Sequence, residues 1–256
     1  MALRDVLIIM PAYNEAENID SVMDSLDSPE IAAIADVLVM NDHSSDSTSA
    51  IVKEHHHAVV THVFNLGYGS GLQLGYKYAI RRGYRYVVQM DADGQHDICN
   101  IPDIYRELTT PDENGKYLDI VIGSRYMEGS APYRVSWVKE LAYKLFRGMI
   151  RLGTGVRITD PTSGLQGLSR RAMLFYSQYD QFDDKYPDAN IIMQMLLLGF
   201  RLKEIPAVMH NRGAGESMHS GLKPVIYMFR MFFSILSVYV RVRVFHWNRG
   251  AADENE

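Results

Sequence analysis

Short, almost unbroken apolar runs alternate along this chain with stretches whose apolar residues recur at helical spacing. Val6 to Met10, Val37 to Met40, Val59 to Phe64, Tyr86 to Met90 and Ile120 to Ile122 read as strands. Between them, Ile19, Val22, Met23 and Leu26 fall on one helical face, and Leu72, Tyr76, Ala79 and Ile80 repeat the pattern. Strands without a polar face, separated by helices, predict an α/β protein whose parallel sheet is covered on both sides. Ligands of such sheets bind where the strands end, at their carboxyl edge.

Four consecutive predicted strands end in polar loops. Pro11-Ala12-Tyr13-Asn14-Glu15 follows the first, Asn41 to Asp46 the second, Asn65-Leu66-Gly67 the third and Asp91-Ala92-Asp93-Gly94-Gln95-His96 the fourth. Any one of these has an ordinary explanation, since Asp46 or Ser47 would serve as a helix cap and Asp and Gly are common in turns. Four in register suggest one cleft. Asp91 and Asp93, one residue apart, crowd two anions, which favours a cation or strong donors to offset them. A calcium loop of the EF-hand type is excluded: counted from Asp91, its sixth and twelfth positions are His96 and Pro102, where Gly and Glu are needed.

Composition narrows the picture. A chain of 256 residues, 47% hydrophobic, can bury a full core as one elaborated domain. A formal charge of −5 argues against general nucleic-acid binding, although Arg201, Lys203, Arg212, Lys223, Arg230, Arg241, Arg243 and Arg249 cluster late in the chain beside only Glu204 and Glu216. The lone Cys99 rules out an intramolecular disulfide and a cysteine zinc cluster, and fits a reducing compartment. The start lacks the long apolar region of a signal peptide and reads as a first strand. Consecutive residues do not share a helical face, so His55-His56-His57 reads as a solvated helix end rather than a metal site.

The series P-A-Y-N-E, N-D-H-S-S-D-S-T, N-L-G-Y-G-S-G, D-A-D-G-Q-H, G-S-R-Y and D-P-T-S-G-L, in that order over about residues 5 to 220, resembles glycosyltransferase family 2. Within it, the polyprenyl-phosphate sugar synthases and related bacterial enzymes of surface-polysaccharide assembly look nearest. The resemblance implies a GT-A-type fold, a three-layer α/β/α sandwich with a mostly parallel, Rossmann-like sheet, over residues 1–222. It implies that Pro11, Tyr13, Glu15 and Asp42 line a nucleotide-sugar pocket. Gly71, with Gly67 and Gly69, would let the backbone approach the nucleotide, while Asp91, Ala92 and Asp93 meet the donor diphosphate. Asp91, Asp93 and Gln95 would hold Mg²⁺ or Mn²⁺ there. The metal screens charge on the leaving diphosphate, so no acid is needed to protonate it.

In the second half, Arg125 clamps a phosphate on this reading, or else pairs with a neighbouring acid. Leu165 and Gln166 stand where the family has Phe and often Arg, a departure at the acceptor phosphate. Asp188 matches the Asp of the family's base motif and would accept a proton from an acceptor hydroxyl; its alternative is to cap the following helix. His210 to Ser217 resembles a mobile donor loop, with Arg212 available to phosphate. Residues 223–248 form an amphipathic helix. Its uninterrupted apolar part, Met231 to Val240, is short for a bilayer span of ~20 residues. Arg230, Arg241 and Arg243 suit a helix lying in the membrane interface, with core burial or a homo-oligomer contact as alternatives. The acidic 249–256 end is expected to be disordered.

The expected activity is therefore sugar transfer from a nucleoside-diphosphate-sugar to a lipid-linked polyprenyl acceptor, by a peripheral protein on the cytoplasmic membrane face. A nucleotidyltransferase is the rival, but residues 11–18 contain no Lys or Arg to receive a triphosphate. A non-catalytic nucleotide-sugar-binding scaffold is a third class.

Overall fold

The structure is a computed structural model that describes residues 4–130, 137–210 and 223–247. Arg212 and the rest of its glycine-bearing stretch, and the acidic end, lie outside the described residues.

The elements run β1 (Val6–Ala12), α1 (Ala16–Leu26), α2 (Pro29–Ile34), β2 (Ala35–Asn41), α3 (Thr48–Glu54), β3 (Ala58–Thr61), α4 (Tyr68–Arg82), β4 (Tyr86–Gln89), α5 (Asn100–Thr109), β5 (Ile120–Ser124), α6 (Trp137–Thr154), β6 (Gln166–Ser169), α7 (Arg170–Tyr176), α8 (Ala189–Leu197), β7 (Leu202–Pro206) and α9 (Lys223–Arg243). The strands form one sheet in the order β3-β2-β1-β4-β6-β5-β7. All pairings are parallel except those of β6, which lies antiparallel between β4 and β5.

Strand periodicity explains the layers. In β1, Leu7 and Ile9 point into a core built with α4, α6, α7, α8 and α9, while Val6, Ile8 and Met10 point into a second core built with α1, α2, α3 and α5. Each face is closed by helices, which is why the strand reads as continuously apolar. Chain order reverses beside β1: β2 pairs along one edge of it and β4 along the other. The crevice beyond their carboxyl ends is the topological switch point, where ligands of such sheets sit.

The structure differs from the sequence expectations in several places. The third strand stops at Thr61. Past it the chain turns so that His62 reaches Asp42, leaving Val63 and Phe64 exposed. The short strands β6 and β7 carry too little periodicity to stand out, and β6 includes Gln166 and Gly167. His55 is not a solvated helix end: its Nδ1 lies 2.8 Å from Asp27 and its Nε2 3.0 Å from Asp20, so it ties the end of α3 to α1.

One face of α9 is core. Met231, Ile235, Val238 and Val242 are buried with α6 and α8, while Ile226, Phe229, Phe233 and Leu236 face outward. By length and composition Val225–Arg243 could cross a membrane, as its ten-residue apolar centre alone did not suggest, but the inner face is already occupied by protein.

Candidate functional site

The polar loop after β4 is pinned from three directions. The Asp91 backbone N–H donates to His96 Nδ1 at 3.1 Å, closing the loop on itself. Burial pushes the His96 pKa down to about 4, so this imidazole is neutral near pH 7 and can accept that bond. The Tyr68 hydroxyl, on the first turn of α4, donates to Asp91 Oδ1 at 2.8 Å. Behind the carboxylate lies Gly164, where a Cβ would stand 2.6 Å from Asp91 Oδ2. Only glycine leaves the carboxylate this position. The Gly164 carbonyl is held in turn by Gln89 Nε2 at 3.2 Å, and the Gln89 side-chain oxygen accepts from Tyr76.

Asp93 Oδ1 accepts from the Gln95 backbone N–H at 3.1 Å, and Gln95 is tied to His210, whose N–H donates to the Gln95 carbonyl at 2.7 Å. Asp91, Asp93 and Gln95 are all oxygen donors of the kind that hard divalent cations take. Among the described residues no three His, Cys, Asp or Glu side chains form a finished metal cage. That fits Mg²⁺ or Mn²⁺, which are commonly held by one or two carboxylates and completed by substrate phosphates and water.

At the end of β2, the buried Asp42 carboxylate accepts from His62 Nδ1, Leu66 N–H and Gly67 N–H, each at 2.8 Å. It therefore anchors the loop that leads into α4. Glu15 precedes the first turn of α1 and accepts from Asn18 Nδ2 at 2.7 Å, while its N–H donates to Thr48 Oγ1 at 2.9 Å. Tyr13 is half exposed at the rim, and Pro11 and Ala92 are buried. The glycines serve packing more directly than ligand approach. A Cβ at Gly71 would press on Pro11 at 3.3 Å, and one at Gly69 would overlap the Asp183 carbonyl at 2.0 Å. Close contact between α4 and the 183–184 chain, rather than nucleotide, accounts for Gly69.

Arg125 lies in a buried ion pair. Its Nε and Nη2 donate to Asp160 Oδ2 and Oδ1 at 2.7 Å each, and Nη2 also donates to the Thr162 carbonyl at 3.1 Å. Asp160 is fully buried. The structure shows the pairing with an acid, because a buried carboxylate needs a compensating charge.

Asp188 precedes α8, yet its side chain makes no capping bond. It accepts instead from the Tyr227 hydroxyl of α9 at 2.6 Å. Burial raises its pKa to about 6, nearby Asp91 pushes the same way, and the Tyr227 bond and Arg125 oppose the rise. A carboxylate with a pKa this close to neutrality can take up a proton during reaction. Tyr68 is raised well above its usual range by burial first and then by the negative charges of Asp91 and Asp188.

Sequence reasoning missed Tyr68, Gly164, Asp160 and Tyr227 as site residues. Gly164 and Asp160 stood in a noted motif, and Tyr68 in a glycine-rich one, without any assigned role. Tyr227 carried no signal beyond the amphipathic pattern of α9.

The sequence pattern of Glycosyl transferase family 2 matches residues 7–174, and the chain belongs to that family. An undecaprenyl-phosphate mannosyltransferase of Micrococcus luteus is 30% identical over 225 residues, covering 84% of this chain and 88% of that protein. A polyprenol monophosphomannose synthase of Mycolicibacterium smegmatis is 29% identical over 225 residues, covering 84% and 81%. Glucosyl-3-phosphoglycerate synthase of Mycobacterium tuberculosis, solved with Mn²⁺, uridine diphosphate and phosphoglyceric acid, superposes with a TM-score of 0.70 at 21% identity over 92% of this chain and 78% of that one. The GT-A-type fold and the assignment as a glycosyltransferase follow.

Proposed function

We propose that this member of glycosyl transferase family 2 is a metal-dependent inverting enzyme that moves a sugar from a nucleoside-diphosphate-sugar to a lipid-linked polyprenyl acceptor. The acceptor is a polyprenyl phosphate or a growing lipid-linked saccharide, used in cell-surface glycoconjugate synthesis. The observation that supports the reading is the Asp91 carboxylate at the carboxyl end of β4, beside the switch point, held by the Tyr68 hydroxyl at 2.8 Å and backed by Gly164. The names of the relatives supply the lipid phosphate side.

Asp91, Asp93 and Gln95 would hold Mg²⁺ or Mn²⁺, which supplies neutralising charge for the departing diphosphate. Tyr68 and Gly164 keep the Asp91 carboxylate aimed, and His96 closes the loop without adding charge. Pro11, Tyr13, Glu15 and Asp42 shape the nucleotide end. For a hydroxyl acceptor, Asp188 takes the proton as the oxygen attacks the anomeric carbon from the face opposite the leaving group. A phosphate acceptor is already anionic and gives Asp188 no proton to take.

The outward face of α9 supports a peripheral position on the cytoplasmic membrane face. Ile226, Phe229, Phe233 and Leu236 are exposed there, and α6 adds exposed Trp137, Leu141 and Leu145. Aromatic and aliphatic side chains flanked by arginines favour the interface of an anionic bilayer.

A transfer assay tests the whole reading. Nucleoside-diphosphate-sugars are incubated with Mn²⁺ and undecaprenyl phosphate, and released nucleotide and lipid product are quantified. Nucleoside diphosphate and a glycolipid in equal amounts are expected; pyrophosphate released from a nucleoside triphosphate would instead mark a nucleotidyltransferase.

A further inference from the structure

We infer that α9 positions the Asp188 carboxylate for sugar transfer, with Tyr227 fixing its side chain and Ser234, through Asn190, fixing its backbone. This rests on the transferase reading above and on a part for Asp188 in the transfer step. It assigns to Tyr227, Asn190 and Ser234 the work of holding that carboxylate in place.

If burial were the whole task of α9, its inner face would be apolar throughout. Met231, Ile235, Val238 and Val242 are buried there. Yet Tyr227, Ser234 and Arg241, each seven residues from the next, are all hydrogen-bonded to α8 or to the residue before it. Seven residues are close to two helical turns, so the three lie on one stripe. Tyr227 donates to Asp188 Oδ2 at 2.6 Å, Ser234 Oγ accepts from Asn190 Nδ2 at 2.9 Å, and Arg241 Nη2 donates to Gln194 Oε1 at 2.9 Å. Apolar packing tolerates small slips of one helix along another, whereas polar pairs at three levels are satisfied together in one register.

Two of these three ties end on Asp188. The buried Asn190 amide is used on both sides: its nitrogen donates to Ser234 Oγ and, at 3.1 Å, to Asp183 Oδ2, and its oxygen accepts from the N–H groups of Asp188 and Ile191 at 3.0 and 2.9 Å. That set of donors and acceptors admits one orientation of the amide, and the Asp188 backbone is fixed with it. Tyr227 is held in turn, its ring packed edge-to-face with Phe146 of α6 at 6.2 Å and Tyr186 at 5.4 Å. Its hydroxyl takes Asp188 Oδ2, while Oδ1 makes no hydrogen bond among the described residues. One oxygen is fixed and the other is left for a reacting group. A carboxylate that served only to cap α8 would turn to that helix's first N–H groups, and this one makes no capping bond.

The test is steady-state transfer by the full chain with Mn²⁺, on whichever of undecaprenyl phosphate and an undecaprenyl-linked saccharide the wild type uses faster. Tyr227→Phe is expected to lower kcat by about tenfold or more, with the KM for the donor and the melting temperature near those of the wild type, because the ring contacts remain. Ser234→Ala should lower kcat likewise, and Ser234→Thr, which restores the hydroxyl, should recover it. The acid limb of the Tyr227→Phe profile should move to higher pH, because the lost bond favours the charged carboxylate. Asp91 and Asp183 oppose that charge, Arg125 favours it, and Tyr68 of α4 stays neutral at these pH values. Added to Asp188→Asn, Tyr227→Phe should cost nothing more, since both remove the same arrangement. Wild-type kcat and pH profile in Tyr227→Phe, losses that multiply in the double variant, or full activity in Asp188→Asn would overturn the assignment. A wild type that transfers sugar to neither acceptor would sink the transferase reading instead, so the two failures are distinguishable.

Discussion

Asp91 shows how much of this site is set by atoms that carry no charge of their own. Its carboxylate is held by one hydroxyl, from Tyr68, and admitted by one missing methyl, at Gly164. Groups that orient a metal ligand typically matter by about 10- to 100-fold in metal affinity. Tyr68→Phe should therefore weaken Mn²⁺ binding by about tenfold with little change in melting temperature, read by the free Mn²⁺ resonance signal in the presence of a nucleoside diphosphate. Gly164→Ala should be worse, because the added carbon competes for the carboxylate's own place. The Asp-x-Asp pair was legible in sequence because charge and strand end coincide there. Its support was not, because a tyrosine at the glycine-rich start of α4 and a glycine far along the chain acquire meaning only in three dimensions.

Asp188 belongs to the same scale. With a folded value raised to about 6, it is largely ionised at neutral pH and becomes protonated as the pH falls below that value. If it acts as base, kcat/KM falls below pH 6 and Asp188→Asn costs on the order of 10²- to 10⁴-fold. If the acceptor is a phosphate, Asp188→Asn retains most activity and the acid limb of the pH profile lies elsewhere. The comparison of the two profiles on one acceptor decides between them. Sequence had set base against helix cap; the structure removes the cap and supplies Tyr227 in its place.

Among the elements, β1, β2, β4 and β5 were readable from their apolar runs and α1 and α4 from their helical faces, while β3 was found but ends short of the run that announced it. β6 and β7 were not, since a short antiparallel strand carrying Gln166 and Gly167 has neither the apolar run nor the alternation that marks a strand. α9 was recognised as amphipathic, and its two faces divide the alternatives: one is core, the other is open. Phe229→Glu with Phe233→Glu should abolish flotation with phosphatidylglycerol vesicles while leaving nucleotide-induced thermal shifts intact; vesicle binding equal to wild type would sink the interfacial role.

The link between α1 and α3 makes a pH-dependent prediction. His55 is raised above its ordinary 6.5, first by its bond to Asp20 and then by Asp27, while burial opposes the rise, and Asp24 also faces it. His57, pushed down chiefly by burial, lies 3.0 Å from Asp27 on the same corner. Because the folded value of His55 exceeds the unfolded one, its contribution is fully present below pH 6.5 and is lost as the pH rises through the raised folded value. The urea midpoint difference between wild type and His55→Asn should therefore shrink as pH is raised from 6 to 9.

At the scale of the whole molecule, the sheet puts the ends of β1, β2 and β4 side by side at the switch point, and α6, α8 and α9 pack together over one face of it. The half of the sheet from β1 to β4 follows from a repeating β–α pattern and was legible; the half built on α6, α8 and α9 depends on helices far apart in sequence and was not. A donor diphosphate gripped through a divalent cation at Asp91 and Asp93 is the claim on which the rest stands. It is tested most directly by thermal unfolding of the wild type with a panel of nucleoside diphosphates and their sugars, with and without Mn²⁺, since a ligand that binds the folded state raises its melting temperature. The account predicts a shift for at least one nucleotide that requires Mn²⁺ and disappears in Asp91→Asn; no shift with any member of the panel in the presence of Mn²⁺ would contradict it.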